Sequence, residues 1–170
     1  MVALVNTEAG RSRTGDDELV TVQQLGDLLN RYIYTGRIDR DQAELDAVRQ
    51  ARARLRDTWT LDRDAMVEVV NRMLREANAS PYLARHDDLD WHIHATDPDA
   101  PLAERIRVEA ALALIDVIRT NETHRLRVCG ADDCGGIFVD LSRNGSKRFC
   151  SVRCGNRMNM VAFRARKAES

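Results

Sequence analysis

Four cysteines, the only ones in the chain, stand within 26 residues of its last third as Cys129-x4-Cys134 and Cys150-x3-Cys154, with fifteen residues between the pairs. Two close pairs across a loop of this length wrap four thiolates around one tetrahedral Zn²⁺, an ion that favours sulfur and has no directional d-electron demand. The residues between them read as a hairpin that brings the pairs together. Gly135 and Gly136 let the chain turn, residues 137–139 (Ile-Phe-Val) read as a strand, residues 142–145 as a turn and residues 147–149 as the return strand. Two disulfides are the competing use of four cysteines, but the N-terminus shows no secretory signal and 170 residues can build a core without staples. A redox pair would be Cys-x-x-Cys in a βαβ setting, which neither pair is. Four thiolates fill the tetrahedron and leave no position for water, so this zinc is expected to hold structure and not to do chemistry.

Charge divides the chain at the same place. Net charge is −1, yet residues 125–170 hold ten Lys and Arg against four acids, and the rest holds 16 basic against 23 acidic residues. An acidic body thus carries a basic module, the asymmetry expected when one end meets a polyanion. A chain of 170 residues suits one core of ordinary size plus a small appended unit. No apolar run approaches the roughly 20 residues of a membrane span and no targeting segment is visible, so the expectation is a cytoplasmic protein without a membrane partner.

The body reads as helical. Thr21 and Gln24 form a capping box ahead of Leu25, Leu28, Leu29, Tyr32 and Ile33, which predicts a helix to about Tyr34. Asp39-x-x-Gln42 repeats the signature before a second helix toward Thr58, and Met66, Val69, Val70, Met73 and Leu74 mark a third over residues 63–77. After Pro81 the pattern becomes two extended runs, 82–85 and 89–95, joined by His86, Asp87 and Asp88. Alternation places Trp91, Ile93 and Ala95 on one face of the second strand and His92 with His94 on the other. Residues 97–101 turn into a helix that is apolar nearly all round over 110–118, apart from Asp116, and is expected to be the central one. The fold class is α+β, mostly α.

His92, His94 and Asp116 form a candidate ligand site, for a metal or a small-molecule effector; the plainer reading is a pair of histidines on the wet side of a hairpin and an acid that finds an Arg. No nucleophile motif, P-loop or GxGxxG is present, and the sequence offers no catalytic constellation.

Residues 151–167 read as a helix. At about 100° per residue, Arg153, Arg157, Arg164 and Lys167 share a stripe roughly 80° wide beside Asn156 and Met160, while Cys154, Met158, Val161, Ala162 and Ala165 lie on another side, expected to face inward. A helix fixed to a finger in this way lays Arg side chains along phosphates or into a groove. A solvated charged face is the alternative use of the same stripe.

Cys154-Gly155-Asn156-Arg157 resembles the name-giving motif of the CGNR zinc-finger family, and the run from Cys129 through Asp140, Leu141, Ser142, Arg143, Asn144 and Gly145 to Cys150 looks like that finger. Three residues separate the last two cysteines where many members have four, a spacing that still permits chelation. Leu4, Val5, Asn6 and Thr7, with Trp91, His92, Ile93 and His94 before Asp97 and Pro98, resemble the ABATE domain of stress-induced transcription regulators. The resemblance covers nearly the whole chain, dividing it into an ABATE-like body over 1–124 and a finger over 125–170. It implies a bacterial DNA-binding regulator with one structural zinc on Cys129, Cys134, Cys150 and Cys154. The DNA-contacting set is then Arg143, Lys147, Arg148, Arg153, Asn156, Arg157, Arg164 and Lys167, with the body sensing an effector or forming a homodimer. A zinc-stabilised protein-interaction adaptor is the second reading, and a ligand-binding protein or enzyme working through His92 and His94 the third.

Overall fold

The computed structural model describes residues 1–12, 14–32, 34–85 and 90–168. In chain order the elements are α1 (Val2–Val5), α2 (Val22–Arg31), α3 (Gln42–Trp59), α4 (Arg63–Glu76), β1 (Tyr82–Ala84), β2 (His92–His94), α5 (Leu102–Arg119), β3 (Leu126–Val128), β4 (Ile137–Val139) and α6 (Val152–Ala168). This is the expected α+β, mostly α architecture. The sequence division at 124/125 follows the chain, whereas the packing unites distant segments. One compact unit is Met1 with Leu19–Thr123, and the other is Val2–Glu18 with His124–Ser170.

In the first unit the capping signals act as read, with one shift. Gln24 N–H donates to Thr21 Oγ1 at 3.2 Å and Thr21 N–H to Gln24 Oε1 at 3.0 Å, closing the capping box of α2. The helix stops at Arg31, short of the expected Tyr34. The second box sits two residues later than Asp39-x-x-Gln42. Asp41 caps α3 by accepting from Glu44 N–H at 2.8 Å, and the Glu44 carboxylate accepts from the N–H groups of Asp39 and Arg40. Asp39 is unavailable as a cap because both its oxygens take a bidentate hydrogen bond from Arg37, at 2.8 Å each.

Helix α5 packs along both α3 and α4, and Leu45, Val48, Leu55, Met66, Val70, Leu102, Val108, Ala111 and Leu114 are buried between them. Full burial of each large side chain contributes roughly 1.5–3 kcal/mol. Helix α5 is central as expected, and one stripe of it, Glu109, Ala113 and Asp116, three and four residues apart, is exposed. Buried Arg105 was not singled out from the sequence. Its guanidinium donates to the carbonyls of Ala100, Thr35 and Arg37 and lies over the Tyr34 ring at 5.4 Å. The clamp requires Gly36, whose φ is +80° and whose added Cβ would stand 2.6 Å from Arg105 Nη1 and 2.7 Å from the Pro98 oxygen.

Strands β1 and β2 pair antiparallel, with Tyr82 opposite His94, Leu83 opposite Ile93 and Ala84 opposite His92; the expected turn at His86, Asp87 and Asp88 lies outside the described residues. The histidine face is not the wet one of the plainer reading. Trp91 and Ile93 are 63% and 57% exposed, while His92 and His94 are half-buried. Period 2 sets which side chains share a face, but which face meets the body depends on what lies beneath it.

In the second unit β4 pairs antiparallel with β3, Leu126 opposite Val139 and Val128 opposite Ile137. The expected return strand at 147–149 does not form. Cys129 and Cys134 instead lie in the connection of the β3–β4 hairpin, and residues 147–149 approach it through the Gly130 N–H bond to the Arg148 carbonyl at 2.8 Å and through side-chain bonds of Arg127 and Asp140 to Lys147.

Candidate metal centre and nucleic-acid surface

The hairpin carries the first cysteine pair in its connection, and the first turn of α6 supplies Cys154. The four Sγ atoms lie within 4.8 Å of one another. Cys134 to Cys150 is 3.8 Å and Cys150 to Cys154 is 3.7 Å. A tetrahedron of sulfurs each about 2.3 Å from zinc has edges of about 3.8 Å. All four are free cysteines, and these separations are nearly twice the roughly 2.05 Å of a disulfide bond. The donor set therefore fits one structural zinc on Cys129, Cys134, Cys150 and Cys154, and the short Cys150-x3-Cys154 spacing closes its share of the tetrahedron. Zinc bound there ties the hairpin to the helix and leaves no protein-side position open.

Close approach shapes the surroundings. An added Cβ on Gly136 would stand 3.2 Å from Cys150 Sγ and 3.3 Å from Cys134 Sγ. Cys150 N–H points at Cys129 Sγ at 3.4 Å and Arg157 Nη2 at Cys154 Sγ at 3.8 Å, donors that offset charge on the sulfurs. Arg157 also meets Asp133 at 2.5 Å.

Fully buried Asp140 organises the following turn. Its Oδ1 accepts from the Ser142 hydroxyl at 2.6 Å and the Ser142 N–H at 3.0 Å, its Oδ2 from the Lys147 N–H at 3.0 Å, and Arg127 stands 3.7 Å away. The Ser142 hydroxyl, more than any other contact, holds this carboxyl below the usual range against the opposing effect of desolvation. Arg125 spans the turn by donating to the Asp140 and Ser142 carbonyls, both at 2.9 Å.

The structure places Arg143, Lys147, Arg148, Arg153, Asn156, Arg164 and Lys167 on exposed positions of this unit, with Arg157 half-buried by its partners. The inward face expected for α6 needs correction. Cys154 is buried and Met158 packs beside it, but every residue from Asn159 to Ala168 is exposed, including Val161, Ala162 and Ala165. The packed residues of the helix, Cys154 and Met158, lie in its first two turns.

In the other unit, His92, His94 and Asp116 lie on the walls of one cleft of about 1000 Å³, together with Tyr34, Arg105 and Glu109. The exposed stripe of α5 forms one wall and the histidine face of β2 another.

Two family models match. The CGNR zinc finger covers residues 125–167, and the ABATE family, described as "Putative stress-induced transcription regulator", covers residues 1–121. The chain belongs to the ABATE family. The two matches follow in the order that the sequence resemblance implies. The ABATE match includes Val2–Glu18, so this family's stretch contributes to both packing units of the chain. Both families are of regulator and zinc-finger type and neither is an enzyme family. No curated protein matches the chain. Among the described residues no helix is long and apolar enough to cross a membrane.

Proposed function

We propose that this ABATE protein is a transcription regulator that binds duplex DNA through its CGNR finger, with α6 as the contacting helix. The observation that carries this reading is the exposure of α6 beyond its zinc-anchored start, where Arg164 and Lys167 continue the exposed stripe that Arg153 begins. A helix rooted in a metal site and open along its length presents side chains to a groove with little loss of orientation. Arg143, Lys147 and Arg148 add positive charge from the turn before it. Arg157, engaged by Asp133 and the Cys154 sulfur, is a positioning residue in this reading, and Asn156 beside it is the candidate for a base edge.

Titration with duplex DNA at several salt concentrations tests the proposal. Affinity falls linearly on a log–log plot, losing about 0.9 in slope for each phosphate neutralised. Arg153→Ala and Arg164→Ala should each reduce the slope by about one and weaken all duplexes alike. The adaptor reading draws on a different observation, the exposure of Val152, Val161 and Phe163 at 80%, 52% and 54%, more apolar surface than phosphate contact uses. Absence of salt-sensitive DNA binding decides for the adaptor.

A further inference from the structure

The cleft of the helical unit contains two imidazoles that converge. His94 Nε2 stands 2.8 Å from His92 Nε2, and His92 Nδ1 stands 2.7 Å from the Asp90 carbonyl. A carbonyl only accepts, so in neutral His92 the proton is on Nδ1 and Nε2 is the acceptor; the bond between the rings is then donated by His94 Nε2–H. Holding one ring nitrogen on a backbone carbonyl while the other turns toward a cleft is the way proteins orient an imidazole for a metal. Tyr82 stacks on His94 with ring centroids 5.9 Å apart and restrains the second ring.

The opposite wall carries charge of both signs, with Arg105 and Arg119 lining the cleft beside two carboxylates. Glu109 and Asp116 project from the exposed stripe of α5, and Glu109 is close enough to His92 for their charges to attract. The Tyr34 hydroxyl in the same cleft is paired with the Glu109 carboxylate.

We propose that the cleft takes a divalent transition-metal ion on the Nε2 atoms of His92 and His94, with its remaining positions open to solvent or a small molecule. Two imidazole nitrogens about 2.05 Å from a tetrahedral ion lie about 3.3 Å apart, so the rings must separate by only about 0.5 Å. His94 then carries its proton on Nδ1. Among the described residues only the four cysteines form a ready-made group of three or more ligands, so the body site is a two-ligand site, weaker than the finger and open on the cleft side. Imidazole donors select zinc, nickel, cobalt or copper over magnesium and calcium. The inference is independent of the DNA-binding reading, since its residues belong to the helical unit.

The test uses the full chain with its finger already zinc-loaded. Calorimetric titration with Ni²⁺ should show one equivalent bound by the wild type and none with Mg²⁺. His92→Gln with His94→Gln should abolish the Ni²⁺ uptake while finger zinc and helical circular dichroism stay unchanged, and His124→Gln should leave the uptake intact. If the double variant loses its helical signal, Cu²⁺ electron paramagnetic resonance on the wild type replaces it, with nitrogen coupling from two imidazoles expected. No Ni²⁺ uptake by the wild type, uptake undiminished in a folded double variant, or a Cu²⁺ spectrum without two-nitrogen coupling each overturns the proposal.

Discussion

Asn6 and Ile137, 131 positions apart, exchange two hydrogen bonds of 2.8 Å: the Asn6 amide donates to the Ile137 carbonyl, and the Ile137 N–H donates to Asn6 Oδ1. A side-chain amide thus does for β4 what a neighbouring strand would do. This pairing, with the contact of α1 on β4 and the Gly135 N–H bond to the Gly10 carbonyl, is why Val2–Glu18 packs with the finger.

Replacing Asn6 with Ala leaves both backbone groups of fully buried Ile137 without these partners. The expected loss is about 2–3 kcal/mol, read as earlier unfolding of the finger and faster zinc transfer to a chelator, with the helical signal of the other unit retained. Asn6→Asp keeps the acceptor, loses the donor and should fall between. Unchanged zinc transfer in Asn6→Ala would mean that the N-terminal segment is a passenger on the finger.

Two glycines of the finger should respond oppositely to a side chain. Gly136→Ala sets a methyl 3.2–3.3 Å from two ligand sulfurs and should lower zinc affinity by about 10-fold or more, the scale of damage around a metal site. Gly145 has φ +58° with nothing near its missing Cβ, so Asn, which tolerates the left-handed region, should be accepted there with zinc affinity intact. Competition with a chromophoric chelator measures both.

Arg157 separates positioning from DNA contact. Arg157→Ala removes the Asp133 pair and a donor to Cys154 Sγ and should weaken zinc about 10-fold; Asp133→Ala should move zinc in the same direction but less. Arg153→Ala should leave zinc alone and change only the salt slope of DNA binding. Intact zinc affinity in Arg157→Ala, together with a reduced slope, would place Arg157 among the phosphate contacts.

The buried Asp140 carboxylate has its folded pKa depressed, so it stabilises the folded finger at pH above its ordinary value of about 3.9 and loses that contribution as pH falls through the lower folded value. Asp140→Asn should therefore lower the melting temperature at neutral pH, and the gap from wild type should narrow on acidification. A gap that stays constant or widens in acid would show that the charge on Asp140 is not what holds the turn.

Features that depend on near neighbours were legible in the sequence. The cysteine spacing determined the metal and its four ligands, because two short spacings and one loop length already satisfy a tetrahedron. The Thr21 and Gln24 box, the helix patterns and the central place of α5 followed from capping chemistry and period, which act within a turn or two. Even there Asp41 displaced Asp39, since Arg37 holds the Asp39 carboxylate. What remained open involved partners far apart in the chain. Pairing of β4 with β3, not with 147–149, rests on hydrogen bonds that no periodicity encodes. Alternation put His92 and His94 on one face of β2, but only the tertiary structure set that face on the same cleft as Glu109 and Asp116 and left Trp91 and Ile93 exposed. The pattern of α6 points its apolar side inward, whereas past Met158 that side is exposed, since periodicity gives a helix its faces and not the element that covers them. Asn6 is the clearest case: its neighbours in sequence say nothing of Ile137, and only the fold brings an amide of the right shape to an otherwise unmatched strand edge.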